Sequence, residues 1–285
     1  MRRSEEEQRA PAAKPEKGLA LGLLAMGPLL VMGEAALLWA PQSGRSAAQA
    51  LIFLGLEPAG AAGDWARRLL LLVVLAGAAL RLSLQGIPLL PGVLRRIGEG
   101  VLGAVALGPV LLALGVPIAA LLESLGHGVQ ASGGAFAPLA GRLGEAAGSG
   151  PVPSLPIAAL VAAAGAWEEL LCRVLLYGLL MLGLRRATLL LGCGPRLATL
   201  SGEAVGLLGS ALCFAALHLE SVLAHFPGLI GSGGESFEPA VFTWRLTAGI
   251  LLGLLFRWRG PGVAAWAHAL FNLGLLLGAG PGVLL

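Results

Sequence analysis

Residues 162–184, AAAGAWEELLCRVLLYGLLMLGL, are apolar enough to cross a bilayer, yet they hold two adjacent glutamates and an arginine. A charge at the bilayer centre costs roughly 2.5–3.5 kcal/mol or more unless it is paired. Glu169 and Arg173 stand four apart, so a helix puts them on one face with the glutamate on the favourable N-terminal side. Glu168 falls about 100° further round and is left without that partner. The reading is a division of labour, with Glu169 and Arg173 as a structural ion pair and Glu168 held for chemistry, because an uncompensated intramembrane carboxylate signals function.

The rest of the chain supports a membrane setting for this segment. Of 285 residues, 56% are hydrophobic and 12% charged, and the mean hydropathy is +0.84. A soluble globular domain does not have this balance. The net charge of +3 comes from basic residues scattered in short clusters between apolar runs. That is a topology signal rather than a nucleic-acid surface, so no nucleic-acid partner is expected. Cys172, Cys193 and Cys213 form no CxxC pair and suggest neither a disulfide framework nor a cysteine metal site.

The expected fold is all-α, a polytopic transmembrane bundle of about seven to eight spans. Seven apolar runs cover 18–40, 67–82, 100–123, 155–184, 203–219, 241–256 and 261–280, and an eighth falls in 47–62 or 187–200. Residues 1–17 read as a disordered cytoplasmic tail and 18–285 as the membrane domain. The 124–154 connection reads as a flexible external loop or a re-entrant segment. Counting Lys and Arg on alternate sides puts 13 with the tail and four opposite, so the positive-inside rule places the N-terminus in the cytoplasm. The abundance of Arg, Ala, Gly and Leu suggests a bacterial source and hence a bacterial cell membrane. Small residues, as in AALVAAAGA and LGSALCFAA, favour close helix packing.

Two further spans carry polar groups at helical spacing. CFAALHL sets Phe214 and His218 four apart, and HALFN does the same for His268 and Asn272. A carboxylate and a neutral imidazole can hold a water and take its proton, while a second imidazole and a carboxamide can donate to an oxyanion. Converging in one cavity, Glu168, His218, His268 and Asn272 would suit water attack on a peptide carbonyl. A non-catalytic membrane partner or a transporter using the same polar cavity is the alternative, although no internal repeat supports a transporter.

EELLCR, FAALH and HALFN match the motifs EExxxR, FxxxH and HxxxN in order. In this the chain resembles the CPBP family of CAAX-protease and bacteriocin-processing membrane proteins, relatives of the eukaryotic Rce1 prenyl-protein endopeptidase, over about residues 155–275. The resemblance implies an intramembrane glutamate-type endopeptidase in which Glu168 and His218 activate water and His268 and Asn272 stabilise the oxyanion. Its partners would be membrane lipid and a protein or peptide substrate with a membrane-associated or lipid-modified terminus.

Other protease designs fit less well. Asp64 is the sole aspartate, and neither HExxH nor GxSG occurs, although Ser210 lies in a span. No cofactor is expected; zinc held by Glu168, Glu169, His218 and His268 is the alternative, opposed by the arginine beside Glu169. His127 and His225 read as loop or helix-end residues, and Arg245 as a side chain that snorkels or pairs near the end of its span. Glu34 has no evident partner.

Overall fold

A computed structural model describes residues 15–39, 46–125, 154–226 and 236–277. They form α1 (Pro15–Trp39), α2 (Ala47–Ile52), α3 (Ala61–Leu84) and α4 (Leu89–Ser124). These are followed by α5 (Leu155–Leu190), α6 (Pro195–Ala216), α7 (Glu220–Leu223), α8 (Pro239–Arg259) and α9 (Pro261–Leu276). The architecture is an all-α membrane bundle, and the long helices fall on the seven expected apolar runs. Five of them, α1, α4, α5, α6 and α8, are long and apolar enough to cross a membrane, and α9 is a shorter apolar helix.

Neither candidate for an eighth span forms one. Residues 47–62 break into α2, the 3₁₀ segment Leu54–Ala59 and the start of α3. Residues 187–200 hold a turn in which Gly192 adopts φ +80° and Pro195 opens α6. Glycine takes that left-handed conformation without the clash a side chain would meet, and proline starts a helix well but does not continue one. Helix α1 begins at Pro15, inside the stretch expected to be tail, so helix replaces coil over its last residues. Residues 1–14 and 126–153, including His127, lie outside the described residues.

Lipid replaces water as the solvent for the outer faces. Leu69, Leu72, Val73 and Leu80 of α3 and Leu179 and Leu190 of α5 are exposed, as they must be when hydrocarbon rather than water surrounds the bundle. Small residues dominate the interior instead. Helix α9 sits among α1, α4, α5 and α8, with Pro261–Ala265 and Ala267–Ala269 buried. A Cβ on Gly165 of α5 would stand 3.1 Å from the backbone nitrogen of Ala269, so α5 and α9 approach almost backbone to backbone. That contact lies one turn before the paired glutamates.

A second buried charge cluster ties α1 to α2 and α3. Oε1 of Glu34 accepts from Nε2 of Gln49 at 2.6 Å and from Nη1 of Arg67. Arg68 Nε lies 3.5 Å from the other carboxylate oxygen. Glu34 therefore has partners that the sequence did not reveal. Arg67 is 1% exposed and also faces the Phe53 ring, whose edge meets Trp167 of α5 at 5.4 Å between centroids. A helix carrying adjacent arginines can thus pack inside an apolar bundle because its charge is met by α1.

Candidate active site

Three helices supply the polar groups expected from the sequence. Helix α5 brings Glu168 and Glu169 at the point where its backbone widens into a π-helical stretch, Leu170–Tyr177. Such π turns occur often at functional sites because they re-aim side chains within a continuous helix. Helix α6 brings Phe214 and, just past its end, His218. Helix α9 brings His268 and Asn272.

Glu169 is fully buried and engaged from two sides. Its Oε2 lies 3.5 Å from Nε of Arg173, also fully buried, and its Oε1 lies 3.0 Å from Nδ1 of His268. Arg173 in turn donates from Nη2 to the Gly249 carbonyl at 3.0 Å and sits over the Phe214 ring, 5.1 Å from its centroid. The ion pair expected within α5 is therefore present, and it extends to α6, α8 and α9.

Glu168 differs from the expectation in one respect. Its Oε2 faces Nε2 of His268 at 3.5 Å, so His268 stands between the two carboxylates and Glu168 is not isolated. That distance is long for a hydrogen bond, and the buried oxygen makes none. Adjacent residues point in different directions from a helix, so one imidazole can reach both only because α9 lies so close to α5.

His218 has a defined orientation. Its Nδ1 lies 2.8 Å from the Phe214 carbonyl. A carbonyl oxygen only accepts, which places a proton on Nδ1 and leaves Nε2 of the neutral ring with its lone pair. Phe214 also meets both imidazoles edge-on, with centroids 5.1 Å from His218 and 5.5 Å from His268. This phenylalanine packs the two histidines and the Arg173 guanidinium around one ring, a role its sequence spacing to His218 did not disclose.

Glu168, His218, His268 and Asn272 all line one cavity of about 290 Å³. Its other walls are mainly apolar, including Leu107, Trp244 and Phe271, and Arg245 is the fifth polar residue. Arg245 lies in the second turn of α8, near the end of its span as expected, and there it lines the cavity within electrostatic reach of Glu168. Ser210 is elsewhere, its hydroxyl donating to the Leu207 carbonyl of its own helix. His225 is not part of the cavity wall; it follows α7, and its Nδ1 donates to the Ser221 carbonyl within that helix. Among the described residues, no group of three or more His, Cys, Asp and Glu side chains is arranged to hold a metal ion.

Comparison with protein families finds a similarity over this core. Residues 150–274 match the family described as type II CAAX prenyl endopeptidase Rce1-like. The match covers less than half of the chain and is a similarity of its motif-bearing core. The matched stretch runs from just before α5 to the last turn of α9 and includes every polar residue of the cavity wall. Neither the curated proteins nor the solved structures contain a match to the chain. The long apolar helices make the chain an integral membrane protein.

Proposed function

We propose that this protein is an intramembrane endopeptidase that hydrolyses a peptide bond near the terminus of a membrane-associated or lipid-modified protein or peptide. In this reading Glu168 and Nε2 of His218 hold the attacking water, and Glu168 takes its proton. Asn272 donates its amide to the oxygen of the scissile carbonyl as negative charge develops there. His268 in its imidazolium form would donate from Nδ1 to Glu169 and from Nε2 towards the same oxyanion. Collapse of the tetrahedral intermediate breaks the C–N bond, and the proton held by Glu168 passes to the leaving amine.

The observation that carries this reading is the convergence of four polar side chains from three helical segments on one largely apolar cavity. Its apolar walls suit hydrophobic substrate side chains and exclude bulk water, strengthening each electrostatic contact inside. No metal is proposed: both oxygens of Glu169 already face cationic or donor groups, and Arg173 beside them opposes a dication. Orientation with the N-terminus in the cytoplasm of a bacterial cell is part of the proposal and rests on the distribution of basic residues.

The deciding experiment is Glu168→Gln. Cleavage of a membrane-anchored reporter peptide by purified protein in liposomes should fall about 10²–10⁴-fold, the usual contribution of a general base. Thermal unfolding should stay at the wild-type temperature, because the substituted oxygen forms no hydrogen bond. Full activity in a folded Glu168→Gln variant would remove the assignment, and transport or complex formation surviving without cleavage would favour a binding protein.

A further inference from the structure

A second pocket lies at the end of the bundle where α1 and α4 begin and α8 ends. It has a volume of about 320 Å³ and gathers Arg95, Arg96, Arg259 and Glu99 beside Leu21 and Trp258. One carboxylate serves the whole group. Glu99 Oε1 lies 2.9 Å from Arg95 Nε and 2.6 Å from Arg259 Nη2. Arg96 instead donates to the Arg259 backbone carbonyl at the end of α8, and its buried Nε makes no hydrogen bond. Among the described residues, three guanidinium groups thus face one carboxylate, an excess of two positive charges.

We propose that this pocket binds the phosphate headgroup of an anionic phospholipid. Guanidinium groups match phosphate oxygens in charge and in the geometry of their paired donors. The surroundings select a lipid rather than a free anion. Trp258 is 72% exposed beside the arginines, the position of an interfacial tryptophan at headgroup level. Val101, Leu102 and Val105 are exposed on the following turns of α4, so an apolar helix surface for acyl chains continues from the charged cup into the span. Arginines one turn inside a spanning helix would otherwise leave their excess charge at the hydrocarbon boundary, and a phosphate removes it. The site is separate from the cavity around Glu168, and the inference does not depend on peptidase activity.

The test uses the full chain in phosphatidylcholine nanodiscs, titrated with phosphatidylglycerol and, in a separate arm, with inorganic phosphate. Retained lipid is read by native mass spectrometry, and unfolding temperature is read in parallel. Phosphatidylglycerol should be retained in preference to phosphatidylcholine and should raise the unfolding temperature. Replacing Arg95 and Arg259 together by glutamine should weaken that binding about 25-fold, at about five-fold per charge. Glu99→Gln should strengthen it about five-fold, since it removes the competing carboxylate; a purely structural Glu99 gives no gain. Equal retention of the two lipids, unchanged affinity in the Arg95 and Arg259 variant, or no gain in Glu99→Gln overturns the proposal. Equal stabilisation by inorganic phosphate at the same concentration also overturns it, because the pocket would then be a free-anion site. If the double arginine variant does not fold, the sign of the Glu99→Gln effect decides alone.

Discussion

Replacing Glu169 by Gln keeps the shape of the side chain and removes one charge from a buried group. The wild-type carboxylate has Arg173 Nε at 3.5 Å on one oxygen and His268 Nδ1 at 3.0 Å on the other, and neither Glu169 nor Arg173 has measurable exposure. Removing one partner of such a pair typically costs about 3–5 kcal/mol, because the remaining charge stays buried. Here Arg173 keeps the Gly249 carbonyl and the Phe214 ring, and the amide oxygen can still accept from His268. The expected loss is therefore at the low end, about 3 kcal/mol, or about 100-fold in the folded-to-unfolded ratio. Reversible unfolding in mixed detergent micelles would measure it, with reporter cleavage followed on the same samples. Both stability and cleavage should fall in Glu169→Gln, whereas Glu168→Gln loses cleavage alone. Adding Arg173→Met to Glu169→Gln should recover part of the stability, as the stranded cation is gone. A Glu169→Gln variant as stable as wild type would refute the argument that this carboxylate holds the arginine and the imidazole in place.

Other consequences can be checked independently. Gly165→Leu should force α5 from α9, where even a Cβ would stand 3.1 Å from Ala269 nitrogen; cleavage should drop at least 10-fold, with loss of a disulfide crosslink engineered between the two helices. Glu34→Gln should lower stability by about 3 kcal/mol through Arg67, leaving the activity of the remaining folded protein near normal, as read by active-site titration. Cleavage by protein verified as metal-free by elemental analysis should be unaffected by chelators, and restoration of activity by added zinc would return the zinc alternative. Arg245→Leu should change substrate affinity more than unfolding temperature, because its side chain lines the cavity and lies within electrostatic reach of Glu168.

Local spacing made much of the site legible. The pairs Glu169 and Arg173, Phe214 and His218, and His268 and Asn272 are each four residues apart, so helical periodicity alone placed them on shared faces. Apolar run length likewise located the long helices. What escaped were contacts between elements far apart in sequence. Glu34 meets Arg67 across 33 positions and His268 meets Glu169 across 99, and no local pattern encodes either meeting. Arg67 opens the apolar run 67–82, and nothing in that run's periodicity names a carboxylate on α1 as its partner. Arg245 shows a related limit: periodicity gives the face of a helix but not whether that face meets lipid or a cavity. The signal available was the missing counterion, since an arginine one or two turns into an apolar run with no acidic residue nearby must find its partner on another helix.

The brevity of α9 sets how deep the polar groups of the cavity lie. This 16-residue helix is about 24 Å long and starts beside the arginine-rich, tryptophan-bearing end of α8. His268 and Asn272 then sit about 11–17 Å along it, near the middle of a hydrocarbon layer about 30 Å thick. To place a carbonyl there, a polypeptide approaching from either face must extend some four or five residues inward, at about 3.3 Å each. A loose chain end can make that descent, whereas a compact domain is stopped at the headgroups.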